Sequence, residues 1–212
     1  MKNVNVSKML TPQKKKTMPA QCIILLYLLT FTSALISAEK GDVAFGMHIM
    51  FGGRYDTMRM CVASPAGAKG GIIADIMFDT RYYIKDNVTV VFNLPVMRPI
   101  LFAAAFRMLQ FEPQVAIEFS NTMNDKADFI VSPGLGLSLH YGPDYNSDKN
   151  NRGDSFFAAG PYISSLFGVG FRGSSEKQKI IGLRAFYIPL FSKDHGIGTV
   201  LGGALEGHFS FQ

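Results

Sequence analysis

The chain has 212 residues and a formal net charge of +5, from 21 basic residues against 16 acidic ones. Five lysines (Lys2, Lys8, Lys14, Lys15, Lys16) and no acid fall in residues 1–38, so the rest of the chain is charge-neutral and a basic face for nucleic acid is excluded. Charged residues make up only 17%, against roughly 25% in a typical soluble domain, and 18 Phe with 21 Gly argue against both disorder and a helical bundle.

Met1–Met18 is polar and basic, and Cys22–Ala38 (CIILLYLLTFTSALISA) is an apolar run closed by small residues. That order reads as a secretory signal, with cleavage expected near Ala38 or, alternatively, after Ala34. An uncleaved anchor is the other reading, but 17 residues interrupted by Ser and Thr is short for a spanning helix. Cleavage removes Cys22 and leaves Cys61 alone, so the mature chain has no intrachain disulfide and no Cys-based zinc site. The expected domains are therefore a signal peptide over 1–38 and one folded body over 39–212.

From residue 43 onward the chain alternates with period two. Val43, Phe45, Met47, Ile49 and Phe51 alternate with Ala44, Gly46, His48, Met50 and Gly52. Ile76, Phe78, Thr80 and Tyr82 alternate with Asp75, Met77, Asp79 and Arg81, and Leu135, Leu137, Leu139 and Tyr141 with Gly134, Gly136, Ser138 and His140. The same pattern runs through 199–211. Eight strands are predicted, at about 43–53, 71–83, 88–95, 113–120, 129–141, 156–172, 179–191 and 199–211. Several reach the nine to eleven residues that a tilted membrane crossing needs.

The two faces of these strands differ in kind. Nine of eleven glycines in the clearest segments share the less apolar face, and only Gly203 and Gly207 do not. Asp75, Asp79, Arg81, Arg184 and Glu206 share it too. A soluble barrel turns large apolar side chains inward; a membrane barrel turns them toward lipid. Connections 54–70, 96–112, 142–155 and 192–198 alternate with the mostly shorter 84–87, 121–128 and 173–178, which matches long outer loops and short periplasmic turns. Pro99–Glu112 lacks alternation and reads either as a short helix near 99–110, lying at the outer interface, or as an irregular fourth strand. Pro133, Pro161 and Pro189 each remove a ladder donor, so bulges or strand ends are expected to hold them.

The fold class is thus all-β: an eight-stranded antiparallel transmembrane β-barrel. Eight alternating strands, an export signal and the final Leu205, Gly207, Phe209 and Phe211 before Gln212 resemble the small bacterial outer-membrane barrels, of the OmpW-like or OmpX/OmpA-like type. The resemblance covers about residues 42–212 and is architectural. It implies insertion among outer-membrane lipid by the outer-membrane assembly machinery, which reads an aromatic C-terminal strand. The soluble eight-stranded lipocalins are a poor match, since their Gly-x-Trp needs a tryptophan and this chain has none.

Candidate site residues follow from the faces. His48, Asp75, Asp79, Arg81, Glu118, His140, Arg184, Glu206 and His208 are expected to line the lumen, as a salt-bridged filling or as the wall of a narrow path. Eight strands enclose an interior just wide enough for side chains, which favours a filled or narrow lumen. His48 and His140 sit on distant strands with no matching carboxylate in view, so no metal site and no cofactor are expected. His208-Phe209-Ser210 is similar to the His-x-Ser of a lipid A deacylase barrel. That family places its acid downstream, where this chain has two residues left, so no catalytic residue is assigned. Arg152, Gly153 and Asp154 form an integrin-type tripeptide in a polar outer connection, or an ordinary turn.

The function expected is a non-enzymatic outer-membrane barrel. It serves either as a narrow channel or porin for small or hydrophobic solutes, or as an adhesin or host-factor binder through residues 142–155. A lipid-modifying enzyme is the minor alternative. No nucleic-acid partner is expected.

Overall fold

The computed structural model describes residues 43–61, 67–104, 107–145, 153–172 and 178–211. The export segment expected over residues 1–38 lies outside them. Nine strands and one helix are formed: β1 Val43–Asp56, β2 Gly70–Lys85, β3 Val88–Pro95, α1 Met97–Ala103, β4 Leu109–Phe111, β5 Gln114–Asn124, β6 Ala127–Pro143, β7 Ser155–Arg172, β8 Gln178–Ser192 and β9 Gly196–Phe211.

Eight of the strands close an antiparallel ring in the order β1-β2-β3-β5-β6-β7-β8-β9, with β9 returning to β1. The closure runs from Phe45 opposite Phe211 to Asp56 opposite Val200, so the first and last strands are paired over nearly their full length. The eight-strand reading of the sequence is borne out. The ninth segment, β4, pairs only with β6 and continues the line of β5 beyond a break at 112–113.

Period two places neighbouring side chains on opposite surfaces. Leu183 is 64% exposed and Leu135 63%, whereas the adjacent Arg184 is 2% exposed. Phe51, Ile72, Phe78, Ile117, Ile163, Phe167 and Leu205 extend this apolar surface around the ring. A continuous belt of that size is untenable in water and is the lipid face of a membrane barrel. Exposed aromatics gather at both margins: Phe45, Tyr82, Phe171, Phe209 and Phe211 at one, Tyr55, Tyr141, Phe157 and Phe191 at the other. Such girdles sit at the two lipid–water boundaries.

One end of the ring carries the tight turns 86–87 and 125–126 together with the ends Val43 and Phe211; it is called the inner end below. The opposite, outer end carries the connections 57–69, 96–108, 144–154 and 193–195. The last of these departs from the expected long-loop pattern. It is only three residues, because β8 and β9 pair up to Ser192 opposite Gly196.

The prolines sit neither at strand ends nor at bulges. The β7–β8 ladder is interrupted between Ala159–Phe191 and Ile163–Tyr187 with no change of register, which places Pro161 opposite Pro189 in the gap. The β5–β6 ladder breaks likewise between Ala116–Gly134 and Phe119–Val131, around Pro133. Each proline pairs normally with its other neighbour, so the missing donor is confined to one side.

The helix also differs from expectation. It spans 97–103 rather than 99–110, and it is part of the wall rather than an interfacial ornament. β3 ends at Pro95 opposite Met77, halfway up β2. α1 follows at once, anchored by Val96 N–H donating to Ile76 O at 2.9 Å, and fills the place where β3 would have continued. Its Arg98 points inward and is 4% exposed, while Ile100 faces out at 63%. Over the outer half of β8 the two-faced pattern fails as well. Phe186, Ile188 and Leu190 are buried there although their neighbours also are large and apolar. With Met50, Tyr162, Val200, Met60, Cys61 and Phe156 they form an apolar filling toward the outer mouth.

Candidate functional site

The lumen is filled by charge in two layers. In the inner layer Arg184 grips Glu206, with Nε 2.5 Å from Oε2 and Nη2 2.8 Å from Oε1. Glu206 Oε1 in turn lies 2.5 Å from His48 Nδ1. His48 Nε2 and His208 Nε2 each stand 3.2 Å from the same Asp79 Oδ2. Arg81 reaches Asp79 Oδ2 from Nη1 at 3.4 Å and ion-pairs through Nη2 with Glu118. Register builds this group. His48 on β1 is directly opposite His208 on β9, and Gly46 on β1 is directly opposite Asp79 on β2.

The outer layer centres on Glu112, at the break between β4 and β5. Its Oε2 receives Arg98 Nη1 at 2.7 Å, and its Oε1 receives Arg54 Nη1 at 3.2 Å and lies 3.1 Å from His140 Nε2. Ser138 Oγ donates to the same Oε1 at 3.2 Å. Arg98 also binds Asp75 Oδ2, from Nε at 2.7 Å, and so ties α1 to β2. Arg54 Nη2 holds Asp56 Oδ2 at 3.1 Å. The Asp56 carboxylate then accepts the backbone N–H of Met58 at 2.9 Å and of Met60 at 3.2 Å, which folds the first outer connection over the lumen. Arg184 Nη1 also donates to Gln114 Oε1 at 3.2 Å and Ser164 Oγ at 3.1 Å, which ties β8 to β5 and β7.

All nine residues singled out from the sequence face inward and are buried: His48, Asp75, Asp79, Arg81, Glu118, His140, Arg184, Glu206 and His208. They do not form one group. His140 belongs to the outer layer with Glu112, whereas His48 and His208 are together at the inner one, their ring centroids 4.6 Å apart. Each histidine has a carboxylate within reach, which corrects the expectation that none would match. The partners come from strands distant in sequence, and register is what joins them.

Arg54, Asp56, Arg98, Gln110, Glu112 and Gln114 belong to the same filling and were not singled out. Arg54 and Asp56 share the parity of His48, so the period-two signal was present beyond Gly52 and Gly53. Arg98 and Glu112 carried no such signal, because they lie in a stretch without alternation. Of the tripeptide, Arg152 is outside the described residues. Gly153 and Asp154 are exposed and held in a backbone ladder: Gly153 N–H donates to Asp144 O at 2.7 Å, and Asp144 N–H to Asp154 O at 3.1 Å.

A buried charge needs a partner or water, and here guanidiniums from β1, β2, α1 and β8 are each bridged to carboxylates on other elements. Such an arrangement supplies rigid, fixed charge. It also leaves an imbalance: seven buried carboxylates (Asp56, Asp75, Asp79, Glu112, Glu118, Asp128, Glu206) face four buried guanidiniums (Arg54, Arg81, Arg98, Arg184) and three buried histidines (His48, His140, His208) among the described lumen residues.

No known family matches this chain, and no curated protein matches it in sequence. Among solved structures it is similar to Neisserial surface protein A, with a TM-score of 0.52 and 8% identity over 79% of this chain and 97% of that one. Weaker likenesses are to Ail, the attachment invasion locus protein of Yersinia pestis (0.39, 10% identity, 80% and 99%), and to the N-terminal β-barrel domain of Pseudomonas aeruginosa OprF (0.34, 13% identity, 78% and 97%). The fold is that of the small eight-stranded outer-membrane β-barrels.

Proposed function

We propose that the chain is exported to the outer membrane and forms a barrel closed to solutes, whose work is done by interaction at its outer surface. The observation that carries this reading is the cross-lumen ion-pair network, in which Arg54, Arg81, Arg98 and Arg184 are all at most 5% exposed and bridged to carboxylates on other elements. A conducting path requires those pairs to part and the Met60–Cys61 cap to lift. The narrow-channel reading is therefore the second one.

The outer mouth suits a binding role. Met58 and Arg59 from the first outer connection, with Asp144, Phe156 and His195, line a cleft there. The His195 ring lies 3.9 Å from that of Phe156, and its Nε2 is 3.7 Å from Asp144 Oδ2. The ordered hairpin end at 153–154 stands beside it and makes residues 142–155 the expected contact region, with host surface molecules as the partner class. At the inner end the outward Phe209 and Phe211 suit recognition by the assembly machinery, and the apolar belt suits outer-membrane lipid.

Planar-bilayer recording in molar potassium chloride tests the closed lumen. Purified, refolded protein is expected to give no discrete conductance steps. Stable steps that depend on the lumen charges would replace this reading with the channel. Cells displaying the wild type are expected to adhere to a host-cell monolayer more than cells displaying Arg152→Ala with Asp154→Ala, at equal surface amounts. Equal adhesion removes residues 142–155 from the proposal.

A further inference from the structure

We propose that His48, Asp79 and His208 bind a divalent first-row transition cation, with zinc as its probe, and that the ion clasps the barrel across the junction of its first and last strands. The inference is independent of whether the lumen conducts.

The donor set comes first. Two imidazole nitrogens and one carboxylate oxygen, all within 4.8 Å of one another, converge from β1, β9 and β2. Tetrahedral zinc–ligand bonds of about 2.0–2.2 Å set neighbouring ligand atoms about 3.3–3.6 Å apart. Asp79 Oδ2 is 3.2 Å from Nε2 of each histidine. Two nitrogens with one carboxylate favour zinc and its neighbours over calcium or magnesium, which take oxygen throughout.

Two polar atoms of the group make no hydrogen bond. His48 is 2% exposed and Asp79 3%, yet His48 Nε2 and Asp79 Oδ1 make no hydrogen bond. The far side of His48 is already arranged as a metal-bound histidine needs. Its Nδ1 faces Glu206, and Glu206 is fixed by Arg184, which presents Nε2 toward the centre. Arg81 Nη1 lies 3.3 and 3.4 Å from the two nitrogens of His208 and 3.4 Å from Asp79 Oδ2, so its guanidinium holds the centre and turns toward Glu118, its partner through Nη2, when the ion enters.

Space and charge agree. A Cβ at Gly46 would strike Asp79 Oδ1 and the His208 ring, so glycine at this position keeps the centre clear. Among the described lumen residues buried carboxylates outnumber buried guanidiniums, and a divalent cation reduces that excess. Because β1 and β9 are 158 residues apart in sequence at His48 and Glu206, the ion joins the first and last of the described strands.

The test uses the mature protein refolded in detergent after chelator treatment, titrated with zinc chloride by calorimetry. The wild type is expected to bind a single zinc per chain and to unfold at a higher temperature with zinc present, whereas calcium and magnesium do neither. His208→Ala and His48→Gln are expected to weaken zinc binding by more than about 100-fold, and Glu206→Gln by roughly 10–100-fold, the range for a residue behind a metal-bound histidine. His140→Ala and His195→Ala are expected to bind like the wild type. Cobalt on the wild type gives an optical signature that does not depend on any variant folding. No saturable zinc binding to the wild type overturns the proposal; so does unchanged binding in His208→Ala or His48→Gln, or loss of binding in His195→Ala instead.

Discussion

Arg184 and Glu206 hold each other at two points across β8 and β9, at 2.5 and 2.8 Å, with both side chains about 1% exposed. Removing one member of such a buried pair leaves an uncompensated charge, at a cost of about 3–5 kcal/mol, whereas replacing both by apolar residues of similar volume is near neutral. Arg184→Met alone is therefore expected to destabilise the barrel by about 3–5 kcal/mol. Arg184→Met with Glu206→Leu is expected to recover part of that loss, limited by the His48 left facing an apolar neighbour. Urea unfolding in lipid vesicles measures both.

The lipid face makes a prediction of opposite sense to that for a soluble protein. Leu183 and Leu205 are directly opposite on β8 and β9, near mid-strand, and both are exposed. Leu205→Arg is expected to cost about 2–4 kcal/mol in a bilayer, and Ile197→Arg, at the outer end of the same strand, about 0–1 kcal/mol. Folding titrations into vesicles compare the two directly. In an aqueous barrel an exposed leucine would tolerate arginine.

Glycines separate by what surrounds them. A Cβ at Gly160 would run into the backbone oxygen of Pro189, in the gap where Pro161 faces Pro189. A Cβ at outward Gly203 meets nothing nearer than Arg184 O at 3.6 Å. Gly160→Ala is expected to lose about 1–3 kcal/mol or more through forced backbone movement, and Gly203→Ala to be nearly silent. The fraction of heat-resistant folded form on an unboiled gel reports the difference.

Arg98 is the bridge between α1 and the lumen, since it binds both Asp75 and Glu112. Arg98→Ala leaves those carboxylates without that partner and is expected to free the connection 96–108. Protease added to intact cells should then cut within it, while the wild type stays whole. If the closed-lumen reading holds, the same variant is expected to show conductance steps that the wild type lacks.

The wall of the barrel was legible in the sequence because each strand states its own parity. Leu135, Leu137 and Tyr141 against Ser138 and His140 give the two faces of β6 without any neighbour, and the same holds for β2 and β9. Composition could be read too: small and charged residues inward, large ones outward. What parity does not carry is register. It places His48, Asp79 and His208 on one surface but does not say that they meet, since that depends on how far β9 slides along β1. Nor does parity reach residues outside regular strands. Arg98 enters the lumen because a half-length β3 hands over to a helix, and Glu112 because β4 and β5 break between Phe111 and Gln114. β8 misleads for a third reason. Phe186, Ile188 and Leu190 look inward onto other apolar groups at the outer mouth, so both of its surfaces are greasy there.

The handover from β3 to α1 cuts the hoops of the cylinder on one arc. Along most of the circumference, strand-to-strand hydrogen bonds resist any widening. Gly70–Asp75 has such bonds only on its β1 side, and its other margin rests against a wedge of seven residues whose own hydrogen bonds run along its axis. The barrel is thus stiff as a pipe at its inner end and split like a collet at its outer one. Amide protons in 70–76 should exchange well before those of β6 and β7, whose mutual ladder is unbroken from Ala127 to Pro143. Any change in diameter is borne by that arc while the ring of turns beneath keeps its shape.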